Sequence, residues 1–330
     1  MKKAVYIFND GDLKRKDNTI YFQTKGGKKY LPAQDISEIY VMGEITITKK
    51  FLEFCTVNDI IIHFFNHYDY YAGSYYPREH YNSGYMLLKQ AEHYLTEDKR
   101  KKLAYQFIEG ADKNILTVLK YYKNRGKNVE EQINTIFKLL EKLKEQQNIE
   151  QMMAIEGNIR EIYYSAFDEI IENEKFVFEK RSKRPPRNKL NSLISFGNSI
   201  LYTVVLSEIY HTHLDPRIGY LHSTNNRRFT LNLDVAEIFK PIIVDRTIFT
   251  LIGKNMLQEK HFESKLGGII LNEEGKKVFI SQIEEKLKTT VNQKELDRNV
   301  SYKRLIRMEL YKIEKHLIGE KDYMPYFHKW

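Results

Sequence analysis

The residues best suited to chemistry lie between Gly219 and Pro241, in the stretch GYLHSTNNRRFTLNLDVAEIFKP. His222 falls in a predicted loop, twelve residues ahead of Asp234. Asp234 and Glu237 share a predicted helix and, three positions apart, one face of it. The cationic pair Arg227-Arg228 stands between the histidine and the carboxylates. An imidazole, two carboxylates and guanidinium groups are the materials of a divalent-cation site acting on phosphate. The same spacing also describes a solvated helix face with an unrelated histidine, so this stretch by itself leaves both readings open.

Two further segments carry chemistry. Glu156 sits in MMAIEGNIREIYYSAF, at the edge of an apolar helical face made by Met152, Ile155, Ile159 and Tyr163. Gly157 follows in mid-helix, where glycine costs about 1 kcal/mol relative to alanine. Close approach of another backbone or of a ligand would offset that cost. Arg160, one turn after Glu156, can hold the carboxylate or a phosphate; an ordinary helix-surface pair is the plain alternative. The run KRSKRPPRNKLNSLISFGN then places Arg181, Lys183, Arg184, Arg187 and Lys189 around Pro185-Pro186, with Asn188 as a helix cap. A basic strap ending at a helix N-terminus offers cations and backbone donors to phosphates, or it is a solvated loop. Asn191, Ser195 and Asn198 recur at helical spacing beyond it, as a buried polar network or as the wall of a site.

These segments need elements to position them. The 330 residues suffice for two domains, and 42% hydrophobic residues suffice for a core. A net charge of +9 favours an anionic partner, nucleic acid rather than membrane. No run approaches the ~18–20 apolar residues of a membrane span, and the apolar stretch Ala4–Phe8 is too short for a signal peptide, so the cytoplasm is the expected location. A single cysteine, Cys55, excludes an intrachain disulfide framework and reads as a buried thiol. Short strands are predicted at Ala4–Phe8, Thr19–Gln23, Lys29–Leu31, Glu38–Met42, Ile45–Ile47 and Ile60–Phe65, with a helix at Lys49–Asn58. His63 and His67 lie four apart, but in a strand, which argues against a metal pair. Gly73–Tyr85 reads as a tyrosine-rich linker. Helices are predicted at Tyr85–Leu95, Ala104–Tyr122, Val129–Lys144, Glu150–Ile171, Lys189–Tyr210, Leu233–Leu251, Lys276–Leu287 and Tyr302–Leu317. The tail GEKDYMPYFHKW reads as loose or docked on the surface. The expected class is α+β: a small N-terminal β-sandwich-like domain over 1–80, then a larger all-α catalytic domain over 81–330.

In order and spacing, EGNIREIYY, RPPRNKLNSLISFGNSILY, LDPRIGYLH, LDVAEIFKPIIVDR and the closing Tyr-Met-Pro-Tyr resemble one family. It is the CRISPR-associated integrase/endonuclease of the spacer-acquisition (adaptation) complex, and the resemblance spans essentially the whole chain. It implies an N-terminal β-domain that pairs protomers into a homodimer and a helical domain that holds the active site. It implies metal ligands at Glu156, His222 and Glu237, with Asp234 beside them as a catalytic residue, and Mg²⁺ or Mn²⁺ as cofactor. The implied reaction is attack of a DNA 3′-hydroxyl on a phosphodiester of the CRISPR repeat, in antiviral defence. Double-stranded DNA and the small second adaptation protein are the implied partners. DNA contacts are expected at Arg160, Arg181, Arg184, Arg187, Asn191, Arg227, Arg228 and Lys240. Many relatives have an arginine where this chain has Lys240, which keeps the charge and loses the bidentate fork. A transposon-type integrase of the same fold and a structure-selective repair nuclease are the nearest alternatives.

Overall fold

The structure, a computed structural model, describes residues 2–77, 81, 83–224, 229–265, 267–293 and 297–329. The chain divides into two compact units, Met1–Asn82 and Ser83–Trp330.

The first unit contains β1 (Lys3–Ile7), β2 (Gly11–Lys16), β3 (Thr19–Thr24), β4 (Gly27–Pro32), β5 (Ile36–Val41), β6 (Ile45–Ile47), α1 (Lys49–Val57), β7 (Ile61–Phe65) and β8 (Tyr71–Tyr75). One sheet runs β1-β5-β7-β8 and the other β4-β3-β2-β6. Pairing is parallel along β1-β5-β7 and between β2 and β6, and antiparallel elsewhere. Both sheets and α1 share one core, in which Leu13 and Ile20 meet Ile39, Ile62, Phe51 and Cys55. Burial pushes the Cys55 thiol up to about 12, so it is an inert core side chain. Strand β2, GDLKRK, escapes the sequence reading because Leu13 is its one fully buried residue among cations. Strand β8 occupies the start of the expected linker.

The second unit is built on α2 (Gly84–Leu95), α3 (Glu97–Lys123), α4 (Glu130–Leu143), α5 (Ile149–Ser165), α6 (Phe167–Ile171), α7 (Lys189–Tyr210), α8 (Leu231–Lys240) and α9 (Arg246–Gly253). Beyond these come β9 (Phe262–Lys265), β10 (Gly268–Leu271), α10 (Glu273–Lys288), β11 (Thr290–Gln293), β12 (Arg298–Ser301) and α11 (Tyr302–Leu317). Two antiparallel hairpins, β9–β10 and β11–β12, correct the expectation of an all-α unit. Their strands are only four residues long and partly exposed, too short to show an alternating pattern. Helix α7 is long and apolar enough by composition to cross a membrane, but 83% of that window is buried inside the protein. It is a core helix.

Two expected helices are interrupted. The segment from Glu150 breaks at Ala166, between α5 and α6. Between α8 and α9 the backbone widens into a π-helical turn, Pro241–Asp245. Pro241 has no N–H to bond back to the Glu237 carbonyl, and its ring crowds that oxygen. The tail is neither loose nor superficial. The Tyr323 hydroxyl donates to Glu309 (2.6 Å), and Asn114 of α3 takes the tail's backbone through the Tyr326 carbonyl (3.0 Å) and the His328 N–H (2.7 Å). Asn114 also donates to the Ile238 carbonyl of α8 (2.9 Å), so one buried amide ties helix, helix and tail together.

Candidate active site

The site is assembled around Asp234, fully buried in the first turn of α8. Its Oδ2 accepts the N–H groups of Tyr220 (2.6 Å) and Leu221 (3.0 Å). Its Oδ1 accepts the His222 N–H (3.0 Å) and pairs with His222 Nδ1 (2.7 Å). The 219–222 loop is thus wrapped on one carboxylate, and Gly219 is needed for the fit: a Cβ there would lie 2.8 Å from Asp234 Oδ2. Gln90 and Arg100 hold the loop from behind, the first by a pair of hydrogen bonds with the Asp215 backbone and the second by donating to the Tyr220 carbonyl (3.0 Å). With Nδ1 engaged, His222 keeps Nε2 for a ligand. Burial opposes a charged ring, but the Asp234 hydrogen bond and the charges of Asp234 and Glu237 outweigh it and raise the His222 pKa.

Glu237 lies one turn further along α8, with a nearly buried side chain. Its two oxygens are taken by Lys240 and by Nη2 of Arg160. Nε of Arg160 donates in turn to Glu156 Oε1 (3.2 Å), so one guanidinium bridges the two carboxylates from α5 and α8. Burial would raise Glu237; Lys240, Arg160 and His222 outweigh it and hold it at about 2. Glu156, Glu237 and His222 therefore belong to one electrostatic neighbourhood. Among the described residues, no three His, Cys, Asp or Glu side chains converge into a ready cation cage. The donor set, two carboxylates and an imidazole fixed by a third carboxylate, is of the kind that suits a divalent cation. What stands between them is Arg160.

The family profile described as CRISPR associated protein Cas1 matches residues 5–285. The chain belongs to the Cas1 family. A CRISPR-associated endonuclease Cas1 of Thermodesulfovibrio yellowstonii is 57% identical over 330 residues, covering all of both chains. The solved structure of a Cas1 protein from Thermotoga maritima superposes with a TM-score of 0.89 at 48% identity, over 98% of this chain and 99% of that one. A casposase bound to integration product shares the fold at 17% identity, with a TM-score of 0.87 over 98% of this chain and 93% of that one.

Against this Cas1 frame, the expected DNA contacts separate into three groups. Arg184 and Arg187 are exposed on the strap. Arg181, Asn191, Arg160 and Lys240 have partners within the protein. Arg181 donates to Asn191 Oδ1 (2.8 Å) and Ser195 Oγ (3.1 Å), and burial lowers its pKa. Asn191 is fully buried and also binds the Ser182 N–H and the Lys180 carbonyl. Asn191 and Ser195 of the α7 polar stripe thus clasp the strap, with Asn188 capping the helix as expected. Arg160 is locked on Glu156 and Glu237, and Lys240 on Glu237 above the Tyr202 ring. Arg227 and Arg228 lie outside the described residues. A Cβ at Gly157 would meet no atom of another element within 4 Å among the described residues, so none of their backbone packs against it.

Lys183, named above only as one of the strap's cations, is exposed, yet desolvation, Arg181 and Lys240 lower its pKa while Glu237 and Glu156 pull the other way. Two further residues of the neighbourhood escaped the sequence reading. Asp245, at the end of the π turn, is buried; burial raises it to about 7 against the pull of Arg160 and of the neighbouring Tyr163 hydroxyl. Asp112 of α3 is buried, and burial first, then Glu156 and Glu237, hold it well above the usual carboxylate range, with Arg160 pulling the other way. Neither Asp245 nor Asp112 stands in a recognisable spacing, because each comes from a separate element.

Proposed function

We propose that this Cas1-family chain is a metal-dependent DNA integrase and endonuclease that inserts short foreign DNA fragments as new spacers into a CRISPR array. The observation that carries the proposal is the Asp234-held His222 set beside Glu156 and Glu237 in a chain of this family. Glu156, His222 through Nε2 and Glu237 would hold a Mg²⁺ or Mn²⁺ ion. Bound there, the ion supplies Lewis-acid polarisation of the phosphodiester and lowers the pKa of an attacking or leaving oxygen. Asp234 holds the imidazole in the tautomer that leaves Nε2 unprotonated and ligating. Exposed Arg184 and Arg187, with Lys183 nearer the carboxylates, draw the phosphate backbone toward the site. The attacking group is a DNA 3′-hydroxyl and the leaving group another 3′-oxygen, so the exchange is close to thermoneutral and needs no covalent protein intermediate. In this reading the first unit pairs protomers, and the small second adaptation protein joins two such dimers into a platform for the incoming duplex. The cytoplasm, where the array is, is the location this activity requires.

A strand-joining assay on a supercoiled plasmid carrying the repeat tests this, with and without that partner and with Mn²⁺, Mg²⁺ or EDTA. Glu156→Ala, His222→Ala and Glu237→Ala should each abolish joining while retaining the fold and most DNA affinity. Undiminished joining by any one of them removes that residue from the site. Cutting of branched DNA without any joining would favour a repair nuclease.

A further inference from the structure

The site contains both halves of a hydrogen bond that is not made. Arg160 spends Nε on Glu156 and Nη2 on Glu237, but its Nη1 is buried without a hydrogen-bond partner among the described residues. Asp112 is 1% exposed, and both of its carboxylate oxygens are buried and likewise without a partner. Helix α3, which carries Asp112, packs against α5 and α8, the helices of Glu156, Arg160 and Glu237. Those three side chains are the charged groups that Asp112 feels. A buried carboxyl left with no donor costs several kcal/mol by itself and requires an explanation. A donor turned toward it in another state of the site provides one.

We propose that Asp112 is the alternative berth of the Arg160 guanidinium: when a divalent cation takes the oxygens of Glu156 and Glu237, Arg160 leaves them and pairs with Asp112. The inference rests on the metal-site reading above. Two cationic groups, Arg160 and Lys240, already neutralise the carboxylates. A doubly charged ion arriving there repels both and competes with Arg160 for the same lone pairs. Expelling a guanidinium into a buried pocket is prohibitive unless a carboxylate receives it. Asp112, on the helix packed against those of Glu156, Arg160 and Glu237, is the unpartnered carboxyl that meets that need. In the cation-free state Arg160 plays the opposite part, holding two carboxylates of different helices together against their mutual repulsion. Asp112 is thus a positioning residue acting through Arg160; it is not itself a ligand.

The test is Mn²⁺ binding to the purified full chain by titration calorimetry, in a double-mutant cycle. Asp112→Asn should weaken Mn²⁺ binding at least tenfold in the wild-type background. With Arg160→Gln, which leaves no guanidinium to receive, the same change should alter affinity less than twofold. Equal weakening in both backgrounds, or none in either, overturns the proposal, the first outcome making Asp112 a direct electrostatic partner of the ion. Melting curves add a readout independent of affinity: Asp112→Asn should melt higher than wild type in EDTA and gain less from Mn²⁺, and the reverse order refutes the hand-over. A measurement without any change at Asp112 is the ¹⁵Nε resonance of Arg160, assigned by its loss in Arg160→Gln. It should shift on saturation with Mg²⁺, and a signal unmoved at saturation overturns the proposal. Absence of saturable Mn²⁺ binding by wild type, or binding unaffected by Glu156→Ala, would instead overturn the metal site itself.

Discussion

Replacing Asp234 by asparagine preserves shape and removes one charge and one acceptor, which makes it a sensitive probe of the loop. Asp234 receives four hydrogen bonds: from Tyr220 (2.6 Å) and Leu221 (3.0 Å) on Oδ2, and from the His222 N–H (3.0 Å) and Nδ1 (2.7 Å) on Oδ1. Asparagine must turn its NH₂ toward one of these two pairs, setting donor against donor. The other pair keeps an acceptor but loses its charge. Hydrogen bonds to a charged group are each worth about 1.5–3 kcal/mol net, and losing one partner of a buried charged contact costs about 3–5 kcal/mol. Asp234→Asn should therefore destabilise the second unit by about 4 kcal/mol. At about 2–4 °C per kcal/mol for a domain of this size, that is a fall in Tm of about 8–16 °C. Thermal unfolding in EDTA measures it free of any metal effect. Below the new Tm, strand joining should drop about 10–100-fold, as for loss of a group that orients a metal-binding histidine. A Tm within about 2 °C of wild type would refute this account of the loop, and undiminished joining would refute the role given to His222.

Two other expectations follow from separate regions. Arg184→Ala with Arg187→Ala should weaken DNA binding for every sequence and reduce the salt slope by about 1–2, since each neutralised phosphate contributes about 0.9. Loss confined to one sequence would mean that these side chains read bases. His328 is buried, and burial, with Lys286 and Arg246 nearby, depresses it to about 4, against about 6.5 when unfolded. Between these values the unfolded chain takes a proton that the folded one refuses, so stability falls as pH drops from about 6.5 to about 4. Across that window this single group accounts for a stability loss of up to the order of 3 kcal/mol. Urea melts of His328→Gln should show a flatter dependence in this window, and an unchanged slope would assign the loss elsewhere.

The sequence made the helices and most of the strands legible because their cores are written at regular spacing. It failed where that rule has no purchase. Strand β2 hides a single buried leucine among lysines and arginine. The four-residue strands of the hairpins are shorter than a readable period. The tail is held by Asn114, more than 200 positions away in sequence, and nothing local announces that bond. In the site, His222, Asp234 and Glu237 could be singled out because they fall within one stretch, and Glu156 because its segment carries a family motif. Asp112 and Asp245 could not. In the basic strap, a count of cations cannot tell Arg181, clasped by Asn191 and Ser195, from exposed Arg184.

The π turn at Pro241–Asp245 fixes the angular phase between the two halves of a bent helical rod. Such a turn accommodates one more residue than an α-turn, and each residue of a helix advances the chain by about 100°. Closing the same residues into continuous α-helix, with none removed, would rotate everything beyond the turn by that angle. Asp245 would swing away from Tyr163, and the buried face of α9, with Ile248, Phe249 and Ile252, would turn out of its packing. Glu237 and Lys240, upstream, would stay where they are. The wide turn thus absorbs one residue more than an α-turn, so the stretch that carries Glu237 and the stretch that carries Ile248 each keep the face they bury.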